Sequence, residues 1–80
     1  MPVVFRYRGV RFYFFSNEGR PREPIHIHAE KDDCEAKFWL RPHVSIAESK
    51  RFDRRTLAEL TDVVLSNREL IEAKWHEFFG

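Results

Sequence analysis

The chain has 80 residues, a net charge of +1, one cysteine and an aromatic set of eight Phe, two Tyr and two Trp. A chain of this length forms one small domain over residues 1–80, and the lone Cys34 excludes an intramolecular disulfide and a cysteine-based zinc cluster. No segment has the apolar length of a signal peptide or of a transmembrane helix, so we expect a cytoplasmic protein with no membrane partner.

Two aromatic-rich runs open the chain. Residues 3–7 and 10–15 alternate in polarity on either side of Arg8-Gly9, which predicts two strands joined by a two-residue hairpin turn. This register pairs residues on an apolar face: Tyr7 with Val10, Phe5 with Phe12, and Val3 with Phe14. The opposite face receives Val4, Arg6, Arg11, Tyr13 and Phe15.

A second hairpin follows a polar loop from Ser16 to Pro24. Residues 25–30 and 35–40 alternate around a turn at Asp32-Asp33, which predicts two more strands. One face of this hairpin pairs Ile25 with Leu40, Ile27 with Phe38, and Ala29 with Ala36. The other face pairs His28 with Lys37 and His26 with Trp39.

The last part of the chain predicts a fifth strand over residues 44–48 and then helix. Asp53 is a suitable N-cap for a helix over residues 54–65, and a second helical stretch covers residues 68–79. The apolar positions of the two stretches are Leu57, Leu60, Thr61 and Val64, and Leu70, Ile71, Trp75 and Phe78. One bent helix or two separate helices fit this pattern. We therefore expect an α+β fold, with an antiparallel sheet of four to five strands covered on one face by two C-terminal helices.

The order of these motifs resembles a bacterial family known as domain of unknown function 4160. The resemblance rests on Pro24-Ile25-His26-Ile27-His28, on Glu35-Ala36-Lys37-Phe38-Trp39-Leu40 and on the helix from Asn67-Arg68-Glu69-Leu70 to Trp75. Ile25 stands where members of the family commonly have a second proline. Genes of this family often neighbour a gene for another small domain, and such pairs are discussed as toxin–antitoxin modules. The resemblance therefore implies a partner-bound protein, and it supplies no catalytic residues.

If both hairpins join one sheet, their polar faces coincide, because the same helices cover both apolar faces. The shared outer face then carries Arg6, Arg11, Tyr13, His26, His28, Lys37 and Trp39. Basic side chains neutralise phosphates and aromatic rings stack on unpaired bases, which favours single-stranded RNA as a ligand. We assign Arg6, Arg11, Tyr13 and Trp39 to this contact. Arg51 and Arg54 are further candidates for phosphate binding.

A catalytic form of this hypothesis is a metal-independent ribonuclease. His26 and His28 would act as general base and general acid, and Lys37 would stabilise the charged phosphorane. The leading expectation is thus a small toxin-like component of a two-gene module that acts on RNA.

Two other classes of function stay open. The aromatic surplus and the small core favour a non-enzymatic module that binds a cognate small protein or forms a homo-oligomer. In the third class, His26 and His28 bind a metal together with another ligand. The further ligands would come from Glu30, Glu35, His43 or His76. No cofactor is expected.

Overall fold

The computed structural model describes residues 3–16 and 23–80. Its elements in chain order are β1 (Val3–Tyr7), β2 (Val10–Tyr13), β3 (His26–Lys31), β4 (Cys34–Trp39), β5 (Ser45–Lys50), α1 (Arg54–Ser66) and α2 (Arg68–Phe79). The strands form one antiparallel sheet in the order β1-β2-β3-β4-β5. The expected α+β class is confirmed. Positions 17–22 of the predicted polar loop lie outside the described residues.

Tight turns hold both hairpins in register. Arg8 and Gly9 have φ of 47° and 81°, as the two central residues of a hairpin turn that matches strand twist require. In the second hairpin, Asp32 has φ of 56°. The predicted pairs of that hairpin are confirmed: His26 with Trp39, Ile27 with Phe38, His28 with Lys37, and Ala29 with Ala36. Leu40 N also donates to Ile25 O at 3.0 Å.

The predicted register of the first hairpin is wrong at one end. Val3 lies opposite Tyr13 rather than Phe14, because β1 has an extra residue between Val3 and Phe5. Such a bulge shifts the alternation of side chains by one position. Val4, which we expected on the outer face, therefore packs against the core, and Val3 is exposed.

The core lies between the inner face of the sheet and the two helices. Its fully buried side chains come from the central strands and the segments that follow them, and from one stripe of each helix: Phe12, Phe14, Ile27, Phe38, Leu40, Leu60, Val64 and Ile71. Burial of each large apolar side chain contributes roughly 1.5–3 kcal/mol. The apolar stripe predicted for α2 included Leu70 and Phe78, but these side chains are 41% and 44% exposed, so the buried stripe is narrower than predicted. Ile71 and Trp75, one turn apart, are the buried residues of α2, and Phe79 packs against the same core.

The helices are separate, and each has an identifiable N-cap residue. Asp53 Oδ1 accepts from Thr56 N at 2.7 Å, so the predicted N-cap of α1 is confirmed. Asn67 ends α1 and precedes α2 with φ of −109°, outside the helical range. Its side-chain Nδ2 donates to Val63 O at 2.8 Å, which satisfies a carbonyl at the end of α1.

Glu72 joins α2 to the segment after β4. Its carboxylate accepts from Arg41 Nη2 at 2.7 Å and from Arg68 Nε at 3.3 Å. Burial raises the pKa of this carboxyl, but the two guanidinium groups outweigh burial and hold the pKa below its usual value of 4.5.

Because folding lowers the pKa of Glu72, the free energy of unfolding depends on pH. A carboxyl whose pKa is lowered by folding contributes stability above its unfolded pKa, and that contribution disappears as the pH falls through the folded pKa. We predict that Glu72→Gln is less stable than the wild type in urea at neutral pH. The difference should shrink as the pH falls below 4.5, and a difference that grows in acid would contradict the ion-pair account.

A matched pair of leucines in α1 tests the helix orientation. Leu60 is 1% exposed and Leu65 is 55% exposed, and both changes to alanine have the same effect on helix propensity. We predict that Leu60→Ala lowers the free energy of unfolding by about 2–5 kcal/mol, whereas Leu65→Ala lowers it by less than about 1 kcal/mol. Urea denaturation of the two variants checks this. Equal losses would mean that α1 packs on the sheet through another face.

Candidate functional site

The sheet brings the predicted polar and aromatic residues onto one face, which we call the outer face. Pairing between neighbouring strands aligns Arg6 with Arg11, Tyr13 with His28, His28 with Lys37, and His26 with Trp39. Because residues opposite each other in a sheet share a face, these seven side chains lie together on the side away from the helices.

His26 is fully buried on this face. Its ring lies 5.2 Å from the His28 ring, 5.6 Å from the Trp39 ring and 5.1 Å from the Trp75 ring of α2. Nδ1 is 2.9 Å from Pro24 O, and since a carbonyl only accepts, Nδ1 carries the proton and donates it. The sequence did not reveal that Trp75 reaches this side of the sheet. In this arrangement the ring lies too deep to contact a ligand.

His28 is half-buried and more accessible. Its ring stacks near Tyr13 at 5.5 Å and contacts the edge of Phe15 at 4.4 Å. It lines an open groove of about 280 Å³ together with Lys37. The remaining lining residues are Phe15, Glu35, Ala36, Glu48, Ser49 and Lys50.

Several cations expected to bind phosphate contact groups of this chain instead. Lys37 Nζ lies 4.5 Å above the Trp39 ring. Arg11 forms an ion pair with Glu30 and lies 5.2 Å from the Tyr13 ring. These contacts use both the charges and the rings that we assigned to RNA, so a nucleic acid would have to displace them.

The other basic candidates are dispersed. Arg51 bonds Asp33 at 2.8 Å beyond the end of β5, and Arg54 lies exposed in the first turn of α1. Neither residue belongs to the strands of the outer face. Arg6 is exposed on β1, at the edge of that face.

Acidic residues lie among the basic ones on the outer face. The cross-strand pairs are Arg11 with Glu30, Glu30 with Glu35, Glu35 with Lys50, and Lys37 with Glu48. The face therefore has mixed charge, whereas nucleic-acid surfaces are usually dominated by Lys and Arg. The catalytic assignment of His26, His28 and Lys37, and the RNA-binding assignment, stay predictions.

The described residues offer no further ligand to the histidine pair. No group of three His, Cys, Asp or Glu side chains in residues 3–16 and 23–80 could hold a metal ion. His43 and His76 are exposed. The metal-binding hypothesis therefore has no additional ligand to support it in this part of the chain.

The sequence did not single out a second surface, at the β1 edge of the sheet. Val3 and Phe78 are exposed and, with Val4 and Phe14, line an open groove of about 310 Å³ between β1 and the end of α2. Lys74 and Glu77 complete the groove and contact each other at 3.6 Å. We call β1 and this groove the β1 edge.

The two edges of the sheet differ in chemistry. The opposite edge, β5, carries Glu48 and Lys50 and has an irregularity where it pairs with Lys37 and Phe38. Charges of this kind protect a sheet edge from pairing with another chain, whereas both edge strands have an irregularity, so only the charges distinguish the two edges. β1 has Arg6 as its single charged residue among four apolar or aromatic ones, and it has no second strand neighbour in the described sheet.

Comparisons with known proteins identify the family. The family model called domain of unknown function (DUF4160) matches residues 9–76. The chain belongs to this family. No curated protein and no solved structure matches the chain. Neither helix of the described DUF4160 structure has the length and apolarity to cross a membrane.

Replacing His26 and replacing His28 should destabilise this DUF4160 chain to different extents. We predict that His26→Ala lowers the free energy of unfolding by about 2–4 kcal/mol, because it leaves a cavity and removes the donor to Pro24 O. His28→Ala should lower it by less, since that ring is only half-buried. Chemical denaturation of both variants makes the comparison, and a larger loss for His28→Ala would contradict the observed burial.

Proposed function

We propose that this chain is a non-enzymatic protein-binding module that accepts an extended segment of a partner protein along the β1 edge. The observation that carries the proposal is the coincidence of two features. An apolar edge strand, β1, has no second neighbour in the described sheet, and the groove lined by Val4, Phe14 and Phe78 lies directly beside it.

Strand addition uses both features. The outer side of an edge strand presents N–H and C=O groups that can bond an incoming strand, and these bonds supply affinity without regard to sequence. Alternate side chains of the incoming strand point to the same face, where a pocket can select among them. Beside β1, that pocket is the groove between Val4 and Phe78.

The chemistry of the outer face favours this proposal over action on RNA. A ribonuclease of the expected kind needs two accessible imidazoles, and His26 is fully buried. The RNA hypothesis retains one supporting observation, which is that His28 and Lys37 line the same open groove.

The family resemblance indicates where to look for the partner. If this gene lies beside one for another small domain, as the resemblance implies, the product of that neighbouring gene is the first partner to test. A toxin–antitoxin pair would be one form of such a module, in which binding between the two proteins controls the activity of one of them.

Phe78 and Leu70 provide a matched pair of variants for this proposal. Both lie on α2 with similar exposure, but Phe78 lines the groove and Leu70 does not. A displayed library of random peptides about ten residues long, enough for one strand, would be selected on the immobilised protein. We predict that Phe78→Ala weakens binding of the selected peptides about tenfold or more, whereas Leu70→Ala leaves it unchanged.

Thermal melts of both variants control for loss of fold, because Phe78 also contacts the rings of Phe14 and Phe79. Three outcomes would overturn the proposal: no peptide is enriched, Phe78→Ala and Leu70→Ala act alike, or single-stranded RNA competes with the peptides at low concentration. In the last outcome RNA and peptide would share a binding site, which strand addition by a protein segment does not predict.

A further inference from the structure

We infer that the partner segment is acidic and places a carboxylate opposite Arg6, with apolar residues on either side of that carboxylate. The inference rests on the proposed strand addition at β1, and it adds the chemistry of the partner. Three observations support it: the charge of the first hairpin, the distribution of its ion pairs, and the registers that a second copy of the chain could adopt.

The hairpin of β1 and β2 has a one-sided charge. Residues 3–16 contain Arg6, Arg8 and Arg11 and no acidic residue. Two of these charges are compensated from elsewhere in the fold. Arg11 pairs with Glu30 of β3, and Arg8 Nη1 lies 3.3 Å from Glu59 Oε2 of α1.

Arg6 differs from its two neighbours. It is exposed, and among residues 3–16 and 23–80 no carboxylate forms an ion pair with it. In the adjoining groove, Lys74 and Glu77 compensate each other. Within the described part of the chain, the charge at the β1 edge that has no ion pair is therefore the single positive charge of Arg6, in the middle of the strand that would receive the partner.

A second copy of this chain fits the edge poorly. Antiparallel pairing about a two-fold axis at Arg6 would oppose the two Arg6 side chains, and an axis at Tyr7 would oppose Arg6 to Arg8. Like charges directly opposite each other destabilise a sheet. An axis at Phe5 would oppose Arg6 to Val4, which the bulge directs to the core side. The charges thus favour a different protein over a homodimer.

The alternation of β1 also defines the partner sequence. Phe5 and Tyr7 pack against the core side, and Arg6 between them lies on the outer face. A strand paired with β1 would therefore present apolar residues opposite Phe5 and Tyr7 and an acidic residue opposite Arg6. The expected pattern is apolar, acidic, apolar.

Charge exchange between the protein and a peptide tests this inference. The probes are a peptide enriched from the random library, its Glu→Gln analogue and its Glu→Lys analogue. We predict that Arg6→Glu weakens binding of the acidic peptide about 5- to 10-fold at low salt. The Glu→Lys peptide should bind the Arg6→Glu variant with the lost affinity restored, because the two charges are exchanged. Lys50→Glu, an equal change of net charge on β5, should leave all three affinities unchanged.

The outcomes separate this inference from the proposed function. Three results would overturn the inference of an acidic partner. These are enriched peptides without an acidic residue, equal binding of the Glu and Gln peptides, and equal effects of Arg6→Glu and Lys50→Glu. Strand addition would still stand if Phe78→Ala weakened those same peptides. A library that enriches no peptide would overturn both.

Discussion

The packing of two amphipathic helices against one face of the sheet is the interaction on which the rest of the structure depends. Phe12, Ile27 and Phe38 are fully buried there against Leu60 and Ile71. Because both helices lie on this side, the outer face must satisfy its own charges and shield its own rings. The ion pair between Arg11 and Glu30, the contact of Lys37 with Trp39 and the stack of Tyr13 with His28 do this. These contacts within the fold therefore explain why histidine and aromatic side chains cluster on the outer face, and a catalytic role is not needed to explain it.

The end of the sheet next to α2 explains the burial of His26. Trp75 lies 5.3 Å from the Phe14 ring on the core side and 5.1 Å from the His26 ring. The same indole thus contacts residues assigned to opposite faces, which is possible where β3 begins and β2 has already ended. The His26 ring, held between Trp39 and Trp75, stabilises the fold. His28 lines the open groove and is the histidine that a ligand can reach.

Alternation in the sequence predicted most of this architecture. It predicted the pairing of His26 with Trp39 and of His28 with Lys37, because a one-residue slip of one strand would move its apolar residues, Ile27 or Phe38, to the outer face. It failed at Val3 and Val4, since nothing in a run of apolar residues marks the position of a bulge. The burial of His26 and the position of β1 at the sheet edge depend on how helices and hairpins are arranged in space, and local patterns do not determine this arrangement.

The unequal edges of the sheet connect fold and function, because β5 is protected by charge while β1 presents an apolar strand beside a groove. Amide hydrogen exchange, measured by NMR on the protein with and without a saturating selected peptide, tests that connection most directly. Strand addition predicts slowed exchange at amides within Val3–Tyr7, whose outward N–H groups would donate to the peptide, and no change within Ser45–Lys50. Slowed exchange around His28 and Lys37 with none along β1 would contradict it.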